Sequence, residues 1–188
     1  MLTISRRRLA VAAALASLVA PVGAAATTAS ATAAPTASAS STPYCGIFWG
    51  SLPKQSASMT TAPVLGVRSG MHACFDRVVF DLGRGSGRVG YNVRYVTEVA
   101  GPSGMPVPLV GGAKIQITLH APAMRTVPSS GVINYTGWQT FRQLKYVASF
   151  EGFTDFGLGV RARLPMRVFT LTNTDGGQRL VVDVANFW

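Results

Sequence analysis

The chain has 188 residues, more than one small domain requires, and its 17 lysines and arginines against seven acidic residues give a net charge of +10. With two cysteines, two histidines, no Cys-x-x-Cys and no clustered histidines, the composition argues against a metal site or a reactive thiol pair. No segment after the first forty residues is long and apolar enough to span a membrane.

The first residues of the chain have the layout of a cleaved export signal. Arg6, Arg7 and Arg8 precede an apolar run at 9–20 that is too short to span a bilayer, and small residues follow at 23–26. We therefore predict a signal peptide over residues 1–26 and a secreted or wall-associated protein. The stretch SRRRLA also resembles a twin-arginine signal, but the usual phenylalanine is missing, so the Sec route is favoured.

A disordered leader is predicted over residues 27–43, because alanine, threonine, serine and proline bury too little apolar surface to offset the entropy of ordering. Residues 44–188 remain for one folded domain, a length that supports a single core. Without the three arginines of the signal, 14 basic and seven acidic residues leave a charge of +7. In an exported protein this favours wall polymers, anionic lipid or an acidic partner over nucleic acid, with solubility alone as the alternative.

The folded part of the chain alternates apolar and polar residues with a period of two and shows little helical periodicity. Glycine- and proline-rich turns separate the alternating stretches, which is typical of an antiparallel sandwich or barrel. We predict an all-β fold with little helix, with room for one helical turn at 137–143. The predicted strands cover residues 46–49, 73–82, 91–96, 114–120, 144–151, 156–164, 166–171 and 179–184.

Two of these strands share the pattern Arg-x-Val-x-Asp although they lie far apart in the chain. The pattern occurs at 77–81 and at 179–183, and in an extended strand its three side chains share one face. If the strands pair antiparallel with the valines opposed, each arginine faces the other strand's aspartate, whereas parallel pairing sets like charges side by side. We therefore predict antiparallel neighbours; the alternative is two separate strands with similar polar faces.

The two cysteines fit an oxidising destination. Cys45 and Cys74 enclose a loop of about thirty residues, and a disulfide across it would stabilise the fold by roughly 3 kcal/mol on the loop-entropy model. Two buried free thiols are the alternative.

Several apparent enzyme signatures lack the companions that their chemistry needs. The DFG at 155–157 lies in a strand-like run without other kinase motifs, and the GRGSG at 83–87 leads into a strand rather than a helix. His72 and His120 have no partner at ligand spacing, so surface histidines are favoured over a metal site or an acid–base pair with Asp76. We predict no enzyme activity, no catalytic residues, no cofactor and no metal.

A stripe of arginines follows the strand predicted at 156–164. If the chain stays extended, Arg161, Arg163 and Arg167 project from one face, about 7 Å apart at each two-residue step, with apolar side chains opposite. Three cations with few local acids can hold carboxylates or phosphates, and Pro165 indicates an edge or bend where a groove is easier to build. An ordinary solvated face is the alternative.

The stretch YTGWQTFRQLKY, upstream of this stripe, supplies Tyr135, Trp138 and Arg142. Aromatic faces stack against sugar rings and cations, so we predict that these residues bind glycan beside the arginines. The alternative is that the aromatic residues fill the core, and the exposure of Trp138 decides between the two.

Four segments together resemble the AMIN-like domain family of exported actinobacterial proteins: YCGIFWGSLPK, HACFDRVVFDL, FRQLKYVASFEGFTDFGLGVRARLPMRVF and RLVVDVANFW. The similarity covers residues 44–188, and the combination is specific although no single motif is. It implies a β-sandwich related to the AMIN domain, a non-catalytic module that localises certain wall amidases and secretion pores by binding peptidoglycan. Cys45 and Cys74 match a pair that the family usually carries. An AMIN module normally precedes what it localises, and this sequence ends at Trp188, so we expect no targeting in cis.

From these patterns we predict an exported antiparallel β-sandwich that binds peptidoglycan or another anionic wall glycan, without nucleic acid and without stable membrane insertion. The alternative is a protein-interaction module that docks on an envelope enzyme or secretion component, which an exposed apolar patch or an unpaired edge strand would favour. The predicted ligand contacts are Arg161, Arg163, Arg167, Trp138, Tyr135 and Arg142.

Overall fold

The computed structural model describes residues 43–124 and 132–187. The predicted signal peptide (1–26) and, except for Pro43, the predicted leader (27–43) lie outside the described residues. Within the described ranges the chain forms β-strands and no helix. The strands are β1 (Lys54–Ser56), β2 (Val64–Met71), β3 (Phe75–Leu82), β4 (Gly90–Val96), β5 (Val99–Ala100), β6 (Pro106–Val107), β7 (Ala113–His120), β8 (Val132–Asn134), β9 (Phe141–Phe150), β10 (Phe153–Val160), β11 (Met166–Thr172) and β12 (Gln178–Ala185).

Two antiparallel sheets carry almost all of these strands. The six-stranded sheet has the order β1-β4-β7-β10-β9-β8, and the four-stranded sheet has the order β11-β12-β3-β2. A short hairpin of β5 and β6 is separate from both. This architecture confirms the predicted all-β sandwich.

The core lies between the two sheets, because alternate residues of each strand point to opposite faces. On β3 and β12 the inward residues include Val78, Phe80 and Leu180, all fully buried. The ring of Phe80 meets that of Phe156 on β10 at 4.7 Å between centroids, which joins one sheet to the other.

The strands that share Arg-x-Val-x-Asp are direct neighbours in the centre of the four-stranded sheet. They pair antiparallel with the valines opposed, so the prediction is confirmed in both direction and register. The paired positions are Arg77 with Asp183, Val79 with Val181, and Asp81 with Arg179.

A disulfide joins Cys45 to Cys74 and so ties the segment before β1 to the residue that precedes β3. The pairing prediction is confirmed. The strand predicted at 46–49 is wrong: Cys45 and Gly46 have φ of 52° and 70°, and the chain there makes only one isolated bridge, from Tyr44 to Ile47. Positive φ angles turn the backbone and end strand pairing.

Several further segments differ from the prediction. Strands β1, β2, β5, β6 and β8 were not predicted. The helical turn for which 137–143 had room does not form, because residues 136–140 make a turn and a bend and β9 begins at Phe141. The strand predicted over 156–164 ends at Val160, and residues 161–165 cross from the six-stranded sheet to the four-stranded one. Pro165 is buried in this crossing, where the lack of an N–H does not break a ladder.

Candidate functional site

A surface cavity of about 610 Å³ opens at the turn between β8 and β9. We call it the Trp138 cavity. Gly137, with φ of 81°, lets the chain reverse there. The cavity is lined by Val110, Asn134, Tyr135, Thr136, Gly137, Trp138 and Arg142. Three of the residues predicted to bind glycan therefore lie together.

The two aromatic side chains of the Trp138 cavity, Tyr135 and Trp138, form one cluster with Phe141. Trp138 is half-buried; its ring lies 4.6 Å from that of Tyr135 and nearly parallel to that of Phe141, 6.0 Å away. Tyr135 is buried, and its hydroxyl bonds the Ser69 hydroxyl at 2.6 Å. Burial raises the pKa of Tyr135 to about 12, so the phenol is neutral at physiological pH. Tyr135 thus supports Trp138 from beneath, and Trp138 presents its free surface to the cavity.

The carboxylate of Asp76 fixes the end of this turn. Asp76 is fully buried on β3, and its Oδ2 accepts hydrogen bonds from the backbone N–H groups of Thr140 (2.7 Å) and Phe141 (2.9 Å). Its Oδ1 has no hydrogen-bond partner among the described residues. A buried carboxylate is costly unless it is bonded, so this contact holds the segment after Trp138 against β3.

Two arginines donate hydrogen bonds to backbone carbonyls of this turn and of the start of β9. Arg142 donates from Nη1 to the carbonyls of Trp138 (2.9 Å) and Phe141 (2.8 Å). Arg161 donates to the carbonyl of Gln139 (3.2 Å), next to Trp138, and to that of Asn186 (2.8 Å). In the part of the chain that the structure describes, neither guanidinium pairs with a carboxylate. The site thus combines an aromatic face with the cation of Arg142, and Arg161 lies at its border, bonded to the residue after Trp138.

The other two arginines of the predicted stripe are held elsewhere. Arg163 is exposed; its guanidinium carbon lies 4.8 Å from the Tyr95 ring centroid, and its Nη2 lies 3.4 Å from the Ser51 carbonyl. Arg167 on β11 donates two hydrogen bonds to buried Asp183. Because β10 ends before residue 161, the three arginines do not form the extended ribbon that was expected.

Sequence reasoning missed part of the cavity wall. Val110 reaches the cavity because its loop lies directly on β10, where an added Cβ at Gly159 would overlap the Val110 carbonyl. Gln143 bonds both the Val110 amide (3.3 Å) and the Asn134 side chain (2.8 Å). The signal in the sequence was Gln143 on β9. A buried side-chain amide requires hydrogen-bond partners, and these partners lie in the cavity wall.

The histidines are used in packing contacts. His72 stacks on Phe75 with 4.5 Å between ring centroids, and His120 contacts the Ser58 carbonyl through Nδ1 at 2.9 Å. Over residues 43–124 and 132–187, no three His, Cys, Asp or Glu side chains come together as a metal site, and no helix could cross a bilayer.

Comparison with known proteins places the sandwich in one family. Residues 62–186, more than half of the chain, match the model of the AMIN-like domain. No curated protein and no solved structure gives a significant match. The chain therefore belongs to the AMIN-like domain family, whose members are non-catalytic binding modules related to the cell wall.

Proposed function

We propose that this protein is exported and that its sandwich binds peptidoglycan or another anionic wall glycan through the Trp138 cavity. The observation that carries the proposal is that Trp138 and Arg142 line one cavity while Arg161 bonds the Gln139 carbonyl next to it. Among the described residues, neither arginine pairs with a carboxylate. Family membership supports a wall-related ligand in general, and the disulfide supports an extracytoplasmic location.

The chemistry of the cavity fits a sugar chain that carries carboxylates. The half-buried indole of Trp138 offers an apolar face to the C–H surface of a pyranose ring. Arg142 in the cavity, and Arg161 beside it at the Gln139 carbonyl, offer guanidinium N–H groups to a carboxylate. Asn134 and Thr136 offer polar groups to hydroxyls. Arg142 and Arg161 are already fixed by bonds to backbone carbonyls and Asn134 by a bond from Gln143, which lowers the entropy lost on binding.

The remaining predicted contacts have supporting roles in this proposal. Tyr135 positions Trp138 from below. Arg163 is a second exposed cation for a long polymer, whereas Arg167 contributes through the sheet that it stabilises with Asp183. The predicted signal peptide at 1–26 supplies the route out of the cytoplasm, with Sec export favoured.

The test is co-sedimentation of the purified protein with bacterial wall sacculi. We expect Trp138→Ala and Arg142→Gln each to weaken retention by about tenfold, because anchoring aromatic and arginine side chains dominate such contacts. Matched controls are Phe48→Ala and Arg88→Gln, an exposed aromatic and an exposed arginine outside the cavity. Retention should also fall as salt rises.

Arg161 and Arg163 are tested together as Arg161→Gln/Arg163→Gln. Arg167 is left unchanged because its removal would leave Asp183 with fewer partners and disturb the fold. Salt-sensitive retention that survives in the Trp138, Arg142 and double-arginine variants would overturn the proposed site, and no retention of the unaltered protein would overturn wall binding.

A second candidate function is docking on an envelope protein. A groove of about 380 Å³ lies between the β5–β6 hairpin and β9, and it is lined mostly by apolar residues. Met105 and Phe150 at this groove are 69% and 57% exposed. Binding at the Trp138 cavity does not explain this exposed apolar surface, whereas a protein partner would cover it. Met105→Ser/Phe150→Ser should leave sacculus retention unchanged and abolish any co-purification with an envelope enzyme or secretion component.

A further inference from the structure

A second hollow, of about 290 Å³, opens on the outward face of the four-stranded sheet. We call it the sheet hollow. Its floor is the paired valines Val79 and Val181, and Leu171 of β11 forms one wall. Three arginines surround this apolar floor: Arg68, Arg77 and Arg179. No residue lines both the sheet hollow and the Trp138 cavity, so the inference goes beyond the proposed function.

The hollow exists because one position on β2 has no side chain. Gly70 pairs with Arg77 on the outward face, and an added Cβ there would meet nothing nearer than His72 Nε2 at 3.7 Å. A larger residue at this position would therefore project into the hollow without disturbing the sheet. This makes Gly70 a position from which the hollow can be filled selectively.

The arginines of this face outnumber its carboxylates. Asp183 is shared by Arg77 and Arg167, and Asp81 lies between Arg68 and Arg179. Each group of three therefore keeps one positive charge in excess. An excess positive charge over an apolar floor attracts an anion that also has an apolar part.

Arg179 is the member of these groups without a hydrogen-bond acceptor among the described residues. Its Nε is buried and lies 3.4 Å from Asp81 Oδ1, without hydrogen-bond geometry, whereas Arg68 donates to both Asp81 oxygens at 2.7 and 3.1 Å. A buried donor without a partner is costly, and a planar guanidinium fork matches a carboxylate. The Arg179 side chain as a whole is 38% exposed and makes no hydrogen bond among the described residues, so its terminal N–H groups can reach a ligand, whereas Arg68 is held by Asp81.

We propose that the sheet hollow binds an organic monocarboxylate with a small aliphatic body. The carboxylate accepts hydrogen bonds from Arg179, and the aliphatic part lies against Leu171, which is 45% exposed, above Val79 and Val181. Arg68 and Arg179 together with Asp81 leave one positive charge in excess, which matches a monoanion better than a phosphate dianion. Such chemistry is found both at the free carboxyl end of a peptide with an aliphatic last residue and in a short fatty acid.

The experiment is an NMR titration of the isotope-labelled full chain with three probes. N-acetyl-leucine represents the peptide end, hexanoate represents the fatty acid, and N-acetyl-leucinamide has the same body without the charge. We expect at least one carboxylate to shift the amide signals of Val79, Gly70 and Val181 saturably, with a dissociation constant on the order of 1 mM. Which carboxylate binds more tightly identifies the source.

Two variants with different effects test the location. Arg179→Gln removes the donor fork, and Gly70→Leu fills the hollow while all arginines remain. Each should weaken carboxylate binding at least about tenfold, whereas the exposed Arg88→Gln should not change it. Equal binding of the acid and the amide, no saturable shift with either acid, or unchanged binding in Gly70→Leu would overturn the proposal. The Gly70→Leu variant should still be retained by sacculi, because Gly70 does not line the Trp138 cavity. This result distinguishes a failure of the sheet hollow from a failure of the proposed function.

Discussion

The carboxylate of Asp183 is fully buried and yet accepts four hydrogen bonds from two arginines. Arg77 and Arg167 approach it from β3 and β11, and both guanidinium groups lie within 5.6 Å of the Phe169 ring centroid. The hydrogen bond to Asp183 raises the pKa of Arg77. The two arginines therefore offset the desolvation of the Asp183 carboxylate with charge and hydrogen bonds, and the aromatic face of Phe169 stabilises the arginines in turn.

Replacing Asp183 with Asn should destabilise the fold by about 3 to 5 kcal/mol, because it leaves two partly buried arginines without their counter-ion. Urea denaturation measures this as a lower midpoint. The matched control is Asp81→Asn, where both the carboxylate (33% exposed) and Arg68 (55%) are solvated, so we expect about 1 kcal/mol or less. Equal losses in the two variants would show that burial does not govern these pairs.

Two tyrosines, the half-buried Tyr95 and the buried Tyr135, should make stability fall at alkaline pH. Burial raises the pKa of Tyr95 and of Tyr135 from 10.0 to about 12. Because the folded pKa exceeds the unfolded one, the contribution of each phenol is fully present below pH 10 and is lost as pH rises through about 12. Urea midpoints measured across this range should therefore decline.

The single variants Tyr95→Phe and Tyr135→Phe assign that decline. Phenylalanine cannot ionise, so each variant should be less stable than the parent at neutral pH, where it lacks the hydrogen bonds to Leu164 or Ser69, and should lose less between pH 10 and 12. If the urea midpoint of both variants fell between pH 10 and 12 by as much as that of the parent, the titrating groups would lie elsewhere.

Among the strands, the pairing of β3 with β12 could be predicted from the sequence because the positions of its arginines and aspartates favour one direction and one register. Only the antiparallel, valine-opposed arrangement places every arginine opposite an aspartate. Strand β2 escaped prediction because Gly66 and Gly70 interrupt its alternation, and β1, β5, β6 and β8 are too short to show a period.

The candidate site was predictable only in part, for a similar reason. Tyr135, Trp138 and Arg142 are close in the sequence, so their meeting at one turn required no long-range knowledge. The positions of Arg163 and Arg167 depend on where β10 ends and on the partners Tyr95 and Asp183. The alternation of apolar and polar residues along one strand carries no information about contacts from another strand. For this reason Arg161, Arg163 and Arg167 were predicted to lie in one continuous line.

At the level of an element, the disulfide tethers a segment that has few strand pairings of its own. Cys45 and Cys74 are 29 residues apart, and closing such a loop restricts the unfolded chain. The double variant Cys45→Ser/Cys74→Ser should lose roughly 3 kcal/mol of unfolding free energy. Urea denaturation of the parent under reducing conditions is the control and should show the same loss; an unchanged midpoint would contradict the tether.

On the scale of the whole molecule, acidic and basic residues are placed differently. Asp76, Asp155 and Asp183 are buried and accept hydrogen bonds within the fold. Most of the arginines and lysines are at least partly exposed. Exposed cations and a net charge of +10 favour association with anionic partners at low salt.

The central place of β12 in the four-stranded sheet also sets the order in which the protein can fold. Strand β3 must wait for a partner that is synthesised roughly a hundred residues later, and such non-local pairing slows folding to the millisecond-to-second range. A chain interrupted before residue 178 would keep β3 with one open edge, exposed to other chains and to proteases. Maturation of the sandwich is thus a late, all-or-nothing event rather than a gradual one along the emerging polypeptide.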